Sequence, residues 1–164
     1  MTLKFEKHNS DLYNTLLTLS RNTFFYKEIK LSDSYETRIY LMFMHFSIMM
    51  IVTKQKMLKF DQNSYDYLFL NIENNLRELG FGDVAVNKKM KDLNKILYDI
   101  LLKINKNTDK SFKINKKLIL KYFSDFEASK SDKYINFEKY FNNFYQFCFE
   151  LSVKNMIREA INFK

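Results

Sequence analysis

Two glycines and no proline serve all 164 residues, and both glycines fall in one segment, Gly80 and Gly82 on either side of Phe81. In a chain with so few residues that turn the backbone cheaply, that pair marks a corner. Gly80 follows directly on an apolar helical face, where a left-handed residue ends a helix and glycine takes that conformation without a Cβ clash. The spacing predicts that Phe81 folds back on the last helical turn. Gly82 is expected to make a second tight bend, and Asp83 to bond the free amides ahead. A side chain at Gly80 costs about 1 kcal/mol or more. A corner needed for folding alone explains both glycines.

Helical spacing dominates the remainder. Leu12, Leu16 and Leu19, with Tyr13 and Leu17 beside them, fit one apolar face after a Ser10 cap. The stretch TFFYKEIKLSDS reads as a short turn and a link. Asp33 or Ser34 caps a long helix running to about Lys56, with Glu36 in its first turn. Its apolar run, Ile39 to Val52, is shorter than the roughly 20 residues a membrane span needs and contains His45, so a buried central helix is predicted. Further helices are predicted from about Asn63 to Leu79 and from about Asn87 to Ile104. After a polar break at Asn105 to Ser111, two more follow, at about Asn115 to Glu127 and Asp132 to Ile161. The last carries more aromatics than one face can hide, so some are expected to line a groove. No strand-like alternation, repeat or flexible linker interrupts the pattern. The expectation is one all-α domain over 1–164, a compact bundle of about six helices.

Lys and Arg number 27 against 19 Asp and Glu, a formal charge of +8. That surplus suits anionic neighbours such as nucleic acid, a ribosome or lipid headgroups; a biased gene composition rich in lysine accounts for it equally well. One cysteine, Cys148, makes no internal disulfide and has no cysteine partner for a metal, which fits a reducing compartment. His8 and His45 lie far apart, and no His-Glu-x-x-His or Cys-x-x-Cys occurs. Gly-Phe-Gly lacks the third glycine and the preceding strand of a dinucleotide fingerprint. His45 on an apolar helix reads as a satisfied core histidine rather than a base. No enzymatic site, metal site or cofactor is therefore expected. Arg38, Arg77, Glu78 and Asp83 read as an ion-pair network locking the glycine corner against the central helix, with partner binding secondary. Lys88, Lys89 and Lys91 form a basic run that is either a solvated face or an anion contact. The methionines Met42, Met44, Met49 and Met50 are core filling or an adaptable apolar surface.

The segment NLRELGFGDVAVNKKMKDL, Asn75 to Leu93, resembles the signature of the ubiquinol–cytochrome c chaperone family. There an Asn-Leu-Arg-Glu-Met-Gly-Val-Gly-Asp segment leads into a basic helix. Asn75, Leu76, Arg77, Glu78, Gly80, Gly82 and Asp83 match it, and Lys88 and Lys89 match the basic pair. A second segment, FFYKEIKLSDSYETRIYLMFMH, is similar to another family motif through Phe25, Tyr26, Asp33, Arg38 and His45 without a gap. Ser32 stands where proline is usual, Lys30 and Thr37 where glycines are usual, and Asp99 and Ile100 replace a Gly-Arg pair. These departures bear on local turn geometry. The resemblance covers about Leu12 to Ile104, with residues 105–164 a helical part completing the core.

The resemblance implies an assembly chaperone that binds newly made cytochrome b during biogenesis of the cytochrome bc complex. It also implies a small assembly partner protein, contact with the ribosome, and peripheral contact with the inner membrane, without a small-molecule substrate. On that reading Phe24, Phe25, Tyr26, Met49 and Met50 touch the client, and Lys88, Lys89 and Lys91 touch anions. The start of the chain close to the matching region, with no transit peptide, points to the bacterial cytoplasm; a eukaryotic member would sit in the mitochondrial matrix. An RNA- or ribosome-binding helical protein is the alternative.

Overall fold

The apolar run at Ile39 to Val52 leaves one helix no polar face to turn to water, and three other helices pack around it. The computed structural model describes residues 11–107, 111–126 and 132–164. Seven α-helices are present among them: α1 Asp11–Ser20, α2 Tyr35–Gln55, α3 Gln62–Glu78, α4 Asp83–Lys103, α5 Lys116–Tyr122, α6 Asp132–Glu150 and α7 Val153–Glu159. A π-helical turn, Phe24–Glu28, precedes α2, and 3₁₀ turns lie at Ser124–Phe126 and Ala160–Asn162. No strand occurs among the described residues, only an isolated bridge between Asn105 and Ile114. The all-α bundle predicted from the sequence is what the chain forms. Ser10, proposed as the cap of α1, lies outside the described residues.

Helix α2 packs against α1, α4 and α6, and buries residues on every side from Ile39 to Val52. Its cap is Ser34, whose side chain accepts from the Thr37 amide. Asp33 instead accepts from Arg38 at 2.6 Å. Thr37, where the family has glycine, sits inside the helix and needs no special backbone. Lys30, the other such position, has φ +62. The turn there keeps the left-handed conformation although lysine occupies it, at a cost of about 1–2 kcal/mol.

The glycine corner forms as predicted at Gly80 and differently at Gly82. Gly80 has φ +97. Its amide donates to the Arg77 carbonyl and the Phe81 amide to the Leu76 carbonyl. These are the paired bonds of a Schellman C-cap. Gly82 is no second bend: at φ −74 and ψ 168 it is the extended N-cap of α4, which therefore starts at Asp83 and not near Asn87. A Cβ at either glycine meets nothing within 4 Å, so the two positions differ in backbone alone. Gly80→Ala is expected to lower stability by about 1–2 kcal/mol. Gly82→Ser is expected to be neutral or to gain a few tenths of a kcal/mol, because serine caps at least as well as glycine. Urea unfolding of the two variants reads the contrast directly.

The long C-terminal helix is interrupted. After α6 the chain breaks at Leu151 and Ser152, and α7 restarts with Ser152 as its N-cap. Lys56 at the end of α2 donates to the Leu151 carbonyl, which the break leaves without a helical partner. At the same end Met57 takes φ +60. Its amide donates to the Lys54 carbonyl and that of Leu58 to the Thr53 carbonyl. This is a second Schellman cap, with methionine where glycine costs nothing.

Candidate functional site

Two surfaces present chemistry to a partner. The first is the outer face of α4. From the corner it exposes Val84 (86%), then Lys88, Lys91, Lys95, Tyr98 and finally Leu102 (77%). Steps of four, three, four, three and four residues keep these side chains on one stripe. It is about 27 Å long, with cations in the middle and apolar groups at both ends. The ion pairs among the described residues engage none of Lys88, Lys91 and Lys95. Asp99, one helical turn on from Lys95, is occupied by Lys103, Lys121 and the Tyr122 hydroxyl. Those three donors hold its carboxyl well below the usual carboxylate range, the Lys103 bond first among them.

The basic run read from the sequence does not act as one patch. Lys89 leaves the stripe, and its ammonium sits 4.7 Å from the centre of the Phe81 ring. This is a cation–π contact. Phe81, expected to fold back on its helix, does so through its amide, and its ring is 38% exposed with that lysine over it. Lys95 takes the place of Lys89 on the stripe. Periodicity counted from Lys88 finds it; adjacency in sequence does not.

The expected network of Arg38, Arg77, Glu78 and Asp83 is also corrected. Arg77 bonds Asp83 and Glu73, while Arg38 bonds Asp33. No ion pair among the described residues joins the two groups or engages Glu78. Both arginines are about two-fifths exposed, so the pairs brace local turns rather than lock the corner onto α2. Exposed pairs of this kind contribute at most about 1 kcal/mol each.

The second surface is a groove of about 710 Å³ between the end of α1, the π-turn, α6 and the C-terminus. Leu19, Phe24, Tyr140, Ile161 and Phe163 supply its apolar lining, and Lys139 and Lys164 stand among its polar residues. Phe24 stacks on Tyr140 with ring centres 5.3 Å apart, and Phe163 meets Tyr140 edge-on at 5.1 Å. Of the many aromatics on the last predicted helix only the buried Tyr140 reaches this groove, and the exposed Phe149 does not. Of the residues expected to touch a client, Phe24 is half-buried here. Tyr26 and Met50 are half-buried elsewhere, the Tyr26 hydroxyl donating to the Ser20 carbonyl. Phe25 and Met49 have no exposed surface and belong to the core. Neither Ile161 nor Phe163 is read from the sequence as a client contact.

The histidine and the cysteine among the described residues both lie in the core. His45 is fully buried, Nδ1 donating to the Leu41 carbonyl and Nε2 accepting from the Tyr140 hydroxyl. Burial pushes it down to about 4. Cys148 is buried and its thiol is pushed up to about 12 by desolvation. Among the described residues no group of three or more His, Cys, Asp and Glu gathers to hold a metal. What the two surfaces offer is apolar burial and positive charge.

A family model described as Ubiquinol-cytochrome C chaperone matches residues 27–112, just over half of the chain. The match runs from the π-turn through α2, the glycine corner and α4, and so contains the lysine stripe. Most of the groove lining lies outside it. No curated protein matches the chain, and no solved structure does.

Proposed function

Because the chain belongs to the ubiquinol-cytochrome C chaperone family, we propose that it binds newly made cytochrome b and assists assembly of the cytochrome bc complex. The family match is the observation that carries this reading. An unassembled subunit made of apolar helices needs a face covered until its partners arrive. The groove beside Phe24 supplies such cover, and apolar area buried there contributes about 25 cal/mol per Å². The role is non-enzymatic and needs no small-molecule substrate. The stripe of Lys88, Lys91 and Lys95 holds the protein to an anionic neighbour, ribosomal RNA or lipid headgroups, at the inner membrane. No helix among the described residues is long and apolar enough to cross a membrane, in keeping with a peripheral position. A small partner protein shares the work.

The test is recovery of cytochrome b with the tagged protein. Phe24→Ala combined with Ile161→Asp is expected to cut that recovery at least tenfold while helicity stays unchanged; undiminished recovery overturns the groove as the client site. The lysine stripe favours a second reading, an RNA-binding protein. That reading requires RNA affinity that falls steeply with salt, whereas client capture by apolar burial persists at high salt. Loss of cytochrome b binding at 0.5 M salt, with tight RNA binding at low salt, decides for the second.

A further inference from the structure

The turn between α2 and α3 carries the most exposed large apolar residue among those described. Met57 is 88% exposed and Leu58 beside it 54%. Met57 also has φ +60, a conformation that glycine takes freely and methionine does not. The sequence therefore keeps a large apolar side chain at a position where both the backbone and the solvent disfavour it. Such strain persists where the surrounding structure over-determines it, and it clusters at functional positions.

Contacts tie down both sides of the turn. On the α2 side Lys56 donates to the Leu151 carbonyl, and its ammonium lies 5.3 Å from the centre of the exposed Phe149 ring. On the α3 side the Phe60 ring packs edge-on against the buried Phe46 at 5.2 Å. Lys54 and Lys59, both exposed, stand on the two shoulders of the turn. The nearest carboxylate in sequence, Asp61, is committed to the amide and hydroxyl of Ser64 at the start of α3. The result is a convex tip, greasy at its apex, with cations behind it.

We propose that this tip, Met57 and Leu58 between Lys54 and Lys59, inserts into the surface of an anionic phospholipid bilayer. A convex apolar apex suits a bilayer boundary better than a protein groove. Its side chains reach the acyl region while ammonium groups on the shoulders stay level with the phosphates. The charge of the whole chain, +8, attracts the same surface. A pre-formed turn loses little freedom on insertion, which favours binding. The inference deepens the peripheral position proposed above but rests on the turn, not on the identity of the client.

Co-sedimentation of the full chain with vesicles tests it. Wild type is expected to bind vesicles containing one-third phosphatidylglycerol at least tenfold more tightly than vesicles of phosphatidylcholine alone. Met57→Gly with Leu58→Ser is expected to weaken that binding at least tenfold. Glycine relieves the left-handed strain, so loss of binding in a variant that melts no lower than wild type is not a folding defect. Lys54→Glu with Lys59→Glu is expected to reduce the preference for phosphatidylglycerol. Undiminished binding by the Met57→Gly, Leu58→Ser variant overturns the proposal, as does equal binding to both vesicle types or none to either. Cytochrome b recovery by the same variant in detergent separates this outcome from the client reading, because the groove is untouched.

Discussion

Replacing Phe25 by alanine is expected to destabilise the protein by about 3–5 kcal/mol, a large part of the 5–15 kcal/mol that holds a typical domain folded. Five rings surround Phe25: Phe24, His45, Phe137, Tyr140 and Phe141, with centres between 4.7 and 6.0 Å away. They come from the π-turn, α2 and α6, so one side chain joins three parts of the chain. The π-turn is why. Its bond from the Ile29 amide to the Phe24 carbonyl spans five residues, and the wider turn places Phe24 in the groove while Phe25 enters the core. Phe24→Ala, which vacates a half-buried site, is expected to cost about 1 kcal/mol, mostly its aromatic stacking on Tyr140. Urea unfolding of both variants measures the difference. A loss below 1 kcal/mol for Phe25→Ala contradicts its place in the core and restores it as a surface contact.

The same pair shows where reading the sequence succeeds and where it stops. Periodicity and the apolar run identify α2 and its central position, because twelve apolar residues in a run of fourteen on a helix leave no solvent face. Gly80 is legible because only a left-handed residue ends a helix in that pattern. Gly82 misleads because its glycine does an ordinary N-cap's work, and the start of α4 shifts back by a turn with it. The break at Leu151 carries no glycine or proline, and the aromatic spacing runs straight through it. The Leu151 carbonyl is satisfied by Lys56, a residue 95 positions away, which no local pattern reports. The arginines were visible as ion-pair formers, but their partners are decided by turns: Arg38 reaches back to Asp33 and Arg77 across the corner to Asp83. Two neighbouring phenylalanines in a π-turn have no period from which to tell inward from outward. Phe24 and Phe25, both expected from the sequence to touch a client, are therefore indistinguishable without the structure.

Acidification provides a second large effect, because the proton that His45 refuses in the folded state is accepted in the unfolded one. The imidazole lies among Phe25, Tyr140, Phe141 and Phe144, with the Leu41 carbonyl and the Tyr140 hydroxyl as its hydrogen-bond partners. No ion pair among the described residues places a carboxylate on it. Both ring nitrogens are satisfied in one neutral tautomer, and a charge there is stranded in an aromatic cage. Burial lowers its pKa from 6.5 to about 4. Above pH 6.5 both states are neutral and the full stability is present. Below it the unfolded state binds a proton that the folded state does not, so stability falls as pH falls, until the folded pKa is reached. The loss is expected to be about 2 kcal/mol between pH 7.5 and pH 5 and about 3 kcal/mol by pH 4. Asp99 acts in a lower window: its lowered pKa supplies stability that is present above the unfolded value of 3.8 and is lost only as pH falls below it. The two contributions are thus separable by pH. His45→Gln keeps a donor for Leu41 and an acceptor for Tyr140 but does not titrate. Its stability at pH 7.5 is expected to be lower than wild type, and its slope between pH 7.5 and pH 5 nearly flat. A wild-type slope that survives in His45→Gln assigns the acid sensitivity to other groups and removes His45 as its source.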